Sequence, residues 1–437
     1  MSFSSFHRVG GAALAALGVA LGGCSDDLPT AGDERFFPPG STPLTLQRIY
    51  QPEEVYDALG SFSGYTDRSD ASFLITADRF DAALEANILL RFTGFPERVG
   101  YSSEGVSITD SVFSYTGGRV IAVVDSARSA SEGQVTLGLW TLEQAWDPES
   151  VSWELAVDTA GEQSPWREPG GTRGRLLSEL TWAPGDTIVG DSLTWTVDSV
   201  AVREMADSAF PGLMVTAKGD GSRLEIGSFA VELDISPETV PDTTLVETVS
   251  SGQREFVFTP AQPSPGELLE VGGLESARHL FRLHFPEFLP AGPCPPCETV
   301  PISEVSLNQV ALVLDPEPAS GGFRPLAPIT VTIRAIAEPE LGMSAPLGGR
   351  LASETLARES FTSPDSTAVL DLTNFVRSII AEREEDEEDG DEEEESELSR
   401  ELALLAEPLA GTFGVAWFQP RPLLRFVYTI PGDLNLP

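Results

Sequence analysis

Six of the seven tryptophans in this 437-residue chain fall between positions 140 and 195: Trp140, Trp146, Trp153, Trp166, Trp182 and Trp195. Trp417 stands apart near the C-terminal end. A flat indole face packs against the C–H face of a sugar ring as readily as against a core side chain, so such a cluster suits either role. Trp146, Trp153, Trp166 and Trp182 stand beside turn formers (Asp147-Pro148, Pro165, Pro169-Gly170-Gly171, Pro184-Gly185). Turns lie at the surface, so these four are the candidate ligand-binding residues of a sugar platform. Asp158, Glu162 and Gln163 offer acceptors for sugar hydroxyls close by. Trp140 and Trp195 sit in alternating patterns and are expected to plug the core.

Imidazole and thiol chemistry is sparse. His7 lies in the first residues, leaving His279 and His284. Five positions apart on a predicted strand, those two rings point to opposite faces and are poorly placed to share a ligand. Cys294 and Cys297, in Pro293-Cys294-Pro295-Pro296-Cys297, are expected to close a short disulfide loop in an oxidising compartment, with half a zinc site as the alternative. No G-x-S-x-G, H-E-x-x-H or P-loop occurs. No catalytic residue and no metal ligand is therefore assigned, no cofactor is expected, and the chain is not read as an enzyme. Residues 382–397 hold 13 acids and read as a solvated, self-repelling insert. A structural or loosely held calcium ion is the alternative there, although the spacing of an EF-hand loop is not met.

The elements that must position these groups begin after a processing signal. Residues 1–8 carry His7 and Arg8 and no acid, and residues 9–23 are an Ala- and Gly-rich apolar run too short to span a bilayer. Leu21-Gly22-Gly23-Cys24 matches the bacterial lipobox, so residues 1–23 are expected to be removed and Cys24 acylated. Two or three acyl chains hold a protein firmly in a bilayer. Ser25 after the cysteine points to the outer membrane or cell surface. Residues 24–43 read as a flexible tether. With 27 basic and 68 acidic residues the formal charge is −41, a surface that repels nucleic acid and anionic lipid heads.

Beyond the tether, short alternating runs predict strands: Val135, Leu137, Leu139; Val310, Leu312, Leu314; Ile329, Val331, Ile333, Ala335. The order of elements recurs. Leu89–Phe92 precedes Phe95-Pro96-Glu97, and Leu280–Leu283 precedes Phe285-Pro286-Glu287. Each half then has a strand opening at Ile108 or Ile302, a second at 135–142 or 329–336, a short helix N-capped by Ser199 or Thr373, and a closing strand pair. The fold class is therefore all-β: two tandem jelly-roll-like β-sandwich domains, each with a short late helix. They are expected at 44–236 and 253–437, joined by a Pro/Thr/Ser-rich linker at 237–252.

This order resembles the DNRLRE-type domains of bacterial and archaeal surface proteins. Leu89–Phe92 and Leu280–Leu283 match that family's Arg-bearing strand. Trp146 to Trp153 matches its tryptophan turn, in the first half only. Asp371-Leu372-Thr373 and Val376 match its late helix, in the second. The resemblance implies a sandwich fold and surface adhesion or glycan binding. The expected function is a lipid-anchored structural or adhesive surface protein that binds glycan or another surface polymer through its first domain. The alternatives are a secreted glycoside hydrolase or lyase, and an envelope assembly scaffold. The expected partners are the bilayer, through Cys24, and a polysaccharide.

Overall fold

The computed structural model describes residues 43–103, 105–184, 192–260, 268–292, 298–319, 321–362, 366–389, 399–409 and 411–431. Cys24, the tether up to residue 42, Cys294, Cys297 and residues 390–397 of the acidic insert lie outside them. In chain order the strands are β1 (Leu44–Tyr50), β2 (Tyr56–Phe62), β3 (Leu74–Phe80), β4 (Leu84–Phe92), β5 (Val99–Ser103), β6 (Val106–Asp110), β7 (Phe113–Ala130) and β8 (Val135–Leu142). They continue with β9 (Leu155–Thr159), β10 (Glu162–Pro165), β11 (Arg173–Trp182), β12 (Ser192–Asp198), β13 (Leu213–Lys218), β14 (Ser222–Pro237) and β15 (Leu245–Phe258). Further strands follow, among them Arg278–His284, Ile329–Ile336, Leu347–Leu356 and Ser399–Glu407. The architecture is an all-β sandwich with antiparallel sheets and few short helices.

Contacts group into two compact units. Of the described residues, one takes in those within 1–48, 287–308 and 427–437, the other those within 49–286 and 309–426. In the smaller unit the Tyr428 hydroxyl donates to the Pro290 carbonyl at 2.6 Å, and Asn308 donates to the Thr429 hydroxyl at 2.8 Å.

In the larger unit, nine strands from residues 74–258 make one sheet in the order β11-β8-β13-β4-β15-β14-β7-β12, with β3 bonded to β14 and β4. The edge strands β11 and β12 lie against each other, so the sheet curls back around its own core. Period-two alternation builds that core: Val135, Leu137 and Leu139 from β8, Leu213 and Val215 from β13, and Ile88 and Leu90 from β4 are fully buried. Trp195, buried as expected, donates its Nε1–H across the core to the Leu137 carbonyl at 3.0 Å.

The domain boundaries differ from the sequence reading. The expected linker 237–252 is no linker. β14 runs to Pro237, a turn follows, and β15 from Leu245 pairs with both β14 and β4. Thr and Val in Thr243-Thr244-Leu245-Val246-Glu247-Thr248-Val249 are β formers, and their propensity outweighs the Pro and Ser that suggested a loop. Residues 44–62, assigned to the first half, pair with strands of the second. β1 neighbours Leu423–Ile430, and β2 pairs with Arg278–His284 in the order β2, Arg278–His284, Ser399–Glu407, Ile329–Ile336, Leu347–Leu356. The core of the nine-stranded sheet also takes in Phe323, Leu326 and Phe413 from the second half. There the buried Arg223 donates to the carbonyls of Gly322 (2.6 Å) and Arg324 (3.0 Å), with its guanidinium 5.1 Å from the Phe80 ring centre and 5.2 Å from that of Phe413.

Both helix starts also shift. The first helix is Ser199–Met205, capped by Asp198, whose carboxylate accepts from Ala201 N at 2.8 Å, so Ser199 is its first residue and not its cap. Asp accepts such a bond at least as well as Ser. The Thr373 hydroxyl instead accepts from Val310 N, pinning the second helix to a neighbouring strand. That helix, Thr373–Asp389, runs on into the acidic stretch expected to be unstructured from residue 382. Glu and Arg are good helix formers, and no breaker occurs before Gly390.

Candidate functional site

The four tryptophans chosen as a sugar platform part company. Trp182 is 3% exposed and belongs to the main core. Trp146 (4%) and Trp166 (6%) are buried with Leu89, Leu142, Val151, Ala156, Met214 and Val257 in a second, smaller core. Only Trp153 is half-buried at its margin, joined there by Trp140, the residue expected inside. The reason lies in what covers the outer face of the sheet. Leu89, Met214, Leu142 and Val257 are apolar residues on that face, and the excursion between β8 and β11 folds over them. The turns that suggested exposure instead aim the indoles inward.

That excursion is tightly bonded. Val151 N donates to the Asp147 carbonyl at 2.9 Å, Asp147 N to Ala156 O at 3.0 Å, and Asp158 N to the Ser150 hydroxyl at 2.9 Å. The buried indoles find acceptors, Trp166 Nε1 on Ser152 O (3.0 Å) and Trp146 Nε1 on Pro211 O (3.1 Å). Arg91, the arginine of the repeated strand, bonds Gln253 and Pro211 O and lies 5.8 Å from the Trp146 ring centre.

Where the cover stops, a groove of about 540 Å³ is left on the sheet's outer face. That lies within the roughly 300–1,000 Å³ usual for ligand pockets. Its floor follows from register. Thr136, Gly138 and Trp140 alternate with the buried Val135, Leu137 and Leu139, so they face outward. Thr216 and Lys218 do so on β13, and Glu85 and Asn87 on β4. Glu179, Gly138, Thr216 and Asn87 form one row across four strands, and Thr136 pairs with Lys218 in the next outward row.

Two glycines set the indoles. A Cβ on Gly138 would sit 2.6 Å from Trp140 Nε1, so the bare backbone leaves room for that edge of the indole, which donates to the Thr216 hydroxyl at 3.2 Å. Gly170, at φ +83°, packs against the Trp153 ring, where a Cβ would come within 2.6 Å. Its carbonyl accepts from Asn87 Nδ2 at 2.9 Å, and its N–H donates to Trp153 O at 2.7 Å. The result is two half-buried indoles, Trp140 with the Arg173 guanidinium 5.8 Å over its ring, above a floor of hydroxyl, amide and charged groups.

Other candidates stay outside this groove. Asp158 and Gln163 bond each other across the β9–β10 hairpin at 2.7 Å, and Glu162 is exposed beside them. His279 is buried between the Tyr56 hydroxyl at Nε2 and the Ser61 hydroxyl at Nδ1 (2.8 Å), whereas His284 meets the Asp57 carboxylate at 2.8 Å. Burial lowers the His279 pKa to about 4, so its ring is neutral at pH 7. Among the described residues no group of three or more His, Cys, Asp or Glu is arranged to hold a metal ion. Trp140 is the site residue that sequence reasoning missed. Its signal was parity, since it is out of phase with Val135, Leu137 and Leu139.

No family model matches the chain, and no curated relative matches it. Solved structures give faint likenesses. One is the M60 catalytic domain with the CBM51-1 and CBM51-2 domains from Clostridium perfringens ZmpB, at 9% identity over 75% of this chain and 36% of that one, with a TM-score of 0.13. Another is titled BspA_C_mut, at 10% identity over 72% and 76%, TM-score 0.13. A third is broad bean stain virus, at 12% identity over 83% and 93%, TM-score 0.12. At such scores they carry no argument about fold or function.

Proposed function

We propose that this chain is a polysaccharide-binding protein of the cell surface, tethered through acylated Cys24, that takes a glycan strand in the groove over Trp140 and Trp153. The observation that carries this reading is the Trp140 indole, held half-buried on an outward sheet face with its Nε1 edge in the space a Gly138 Cβ would need and bonded to Thr216. A core tryptophan needs no such glycine, and a solvated strand does not keep two half-buried indoles beside a polar floor. Sugar rings offer apolar C–H faces for the indoles and hydroxyls for Asn87, Thr136, Thr216, Glu85 and Glu179. The likeness of the Arg-bearing strands and the tryptophan turn to DNRLRE-type surface domains supports the same reading.

The test is a glycan array followed by pull-down on the best polymer, comparing wild type with Trp140→Ala and Trp153→Ala. Loss of an aromatic anchor costs about 2 kcal/mol or more, roughly a 30-fold weaker Kd. Binding indifferent to both changes removes the groove from the account. Release of new reducing ends during the assay would instead point to hydrolysis at Glu85 and Glu179, the groove carboxylates that no described side chain engages.

A further inference from the structure

We infer that the polymer held in this groove is an anionic glycan, bearing carboxylate or sulfate groups; this rests on the glycan-binding reading above and narrows it. The chain is hostile to anions, with 68 acidic against 27 basic residues, and all but one of its cations are arginine. The one lysine in 437 residues is Lys218, and it lines the groove. It is exposed at the end of β13, in the row with Thr136, and makes no ion pair with a described residue.

Two arginines line the same groove. Arg173 is half-exposed, lies 5.8 Å from the centre of the Trp140 ring and has its nearest acid partner, Glu168, only at 3.9 Å. Arg79 is held by Asp220 at 3.1 Å. The lining therefore carries three cations against three carboxylates, in a chain whose acids outnumber its bases more than twofold. One of those carboxylates, Asp78, is occupied by Gly219 N at 2.8 Å. Glu85 and Glu179 are left to accept hydroxyls.

A neutral polymer would gain nothing from this local balance of charge in an otherwise strongly negative chain. An anionic one needs it, because the net field of the molecule pushes it away. Lys218 and Arg173 stand at separate rows of the floor, Lys218 opposite Thr136 and Arg173 opposite Leu142. They can therefore meet charges on different residues of one strand, while the indoles hold the ring between.

The test uses the full chain, purified in detergent, with polygalacturonate, alginate and hyaluronan, each against its carboxyl-reduced form, at about 50 and about 300 mM salt. The expected result is that at least one acidic polymer binds about fivefold or more tighter than its reduced form. Its affinity should fall about 3- to 10-fold in Lys218→Gln and in Arg173→Gln and weaken with salt, while binding to the reduced form is unmoved by either change. Equal affinity for acidic and reduced forms, or indifference to both substitutions, overturns the anionic assignment and leaves the glycan reading standing. Binding to none of the six polymers overturns both.

Discussion

Lowering the pH from 7 to 4 interrogates the pairing of β2 with the second half of the chain. His279 lies directly across from Ser61, and Tyr56 and Ser61 both belong to a strand some 220 positions away in sequence. The ring is 4% exposed, and burial lowers its pKa from 6.5 to about 4. Above pH 6.5 it is neutral in folded and unfolded chains and contributes no pH dependence. Between 6.5 and 4 the unfolded chain takes up a proton that the folded chain refuses, so stability falls with pH, by about 3 kcal/mol at pH 4. Buried Glu225 and Glu255, whose pKa values burial raises, slope the opposite way, so the wild-type profile alone is ambiguous. The difference from His279→Gln isolates the ring. At pH 7 that variant loses about 1–2 kcal/mol, because one amide cannot serve both hydroxyls. At pH 4 the order should reverse, with the variant the more stable by about 1–2 kcal/mol. Guanidinium unfolding followed by far-UV circular dichroism reads both. A difference that stays constant from pH 7 to 4 would refute the burial of His279 and the strand exchange that creates it.

Three further outcomes follow from packing. Trp195→Ala empties the largest fully buried side chain of the curled sheet and should cost about 3–5 kcal/mol in denaturant unfolding. Arg223→Ala leaves two buried carbonyls and a void between Phe80 and Phe413 and should cost about 3 kcal/mol, whereas Arg223→Met, which refills the space, should cost clearly less by the same measurement. Gly138→Ala pushes the Trp140 indole off Thr216, so polymer binding should drop as far as in Trp140→Ala while the unfolding midpoint moves little.

Strand alternation was legible because period two is a local signal. Val135–Leu139, Val310–Leu314 and Ile329–Ile333 all proved to be strands with their apolar residues buried. Partnership was not. Nothing in Tyr56–Phe62 says that it will pair with Arg278–His284 rather than with a near neighbour, since register is settled by cross-strand packing. Pro148 beside Trp146 does lie in a turn, whereas Pro165 beside Trp166 ends strand β10, and the consequence for both indoles was misread. A turn places backbone at the surface and leaves the side chain free to point back, as both indoles do onto Leu89 and Met214. The groove itself could not be found from one segment, because its floor is assembled from β3, β4, β8, β11 and β13.

The most direct measurement is hydroxyl-radical footprinting of the tryptophans with and without the bound polysaccharide. Trp140 and Trp153 should both become protected, while Trp146, Trp166 and Trp182, already buried, stay unchanged. Protection confined to other parts of the surface, with Trp140 and Trp153 oxidised at the same rate in both samples, would contradict a binding groove on the outer face of the sheet.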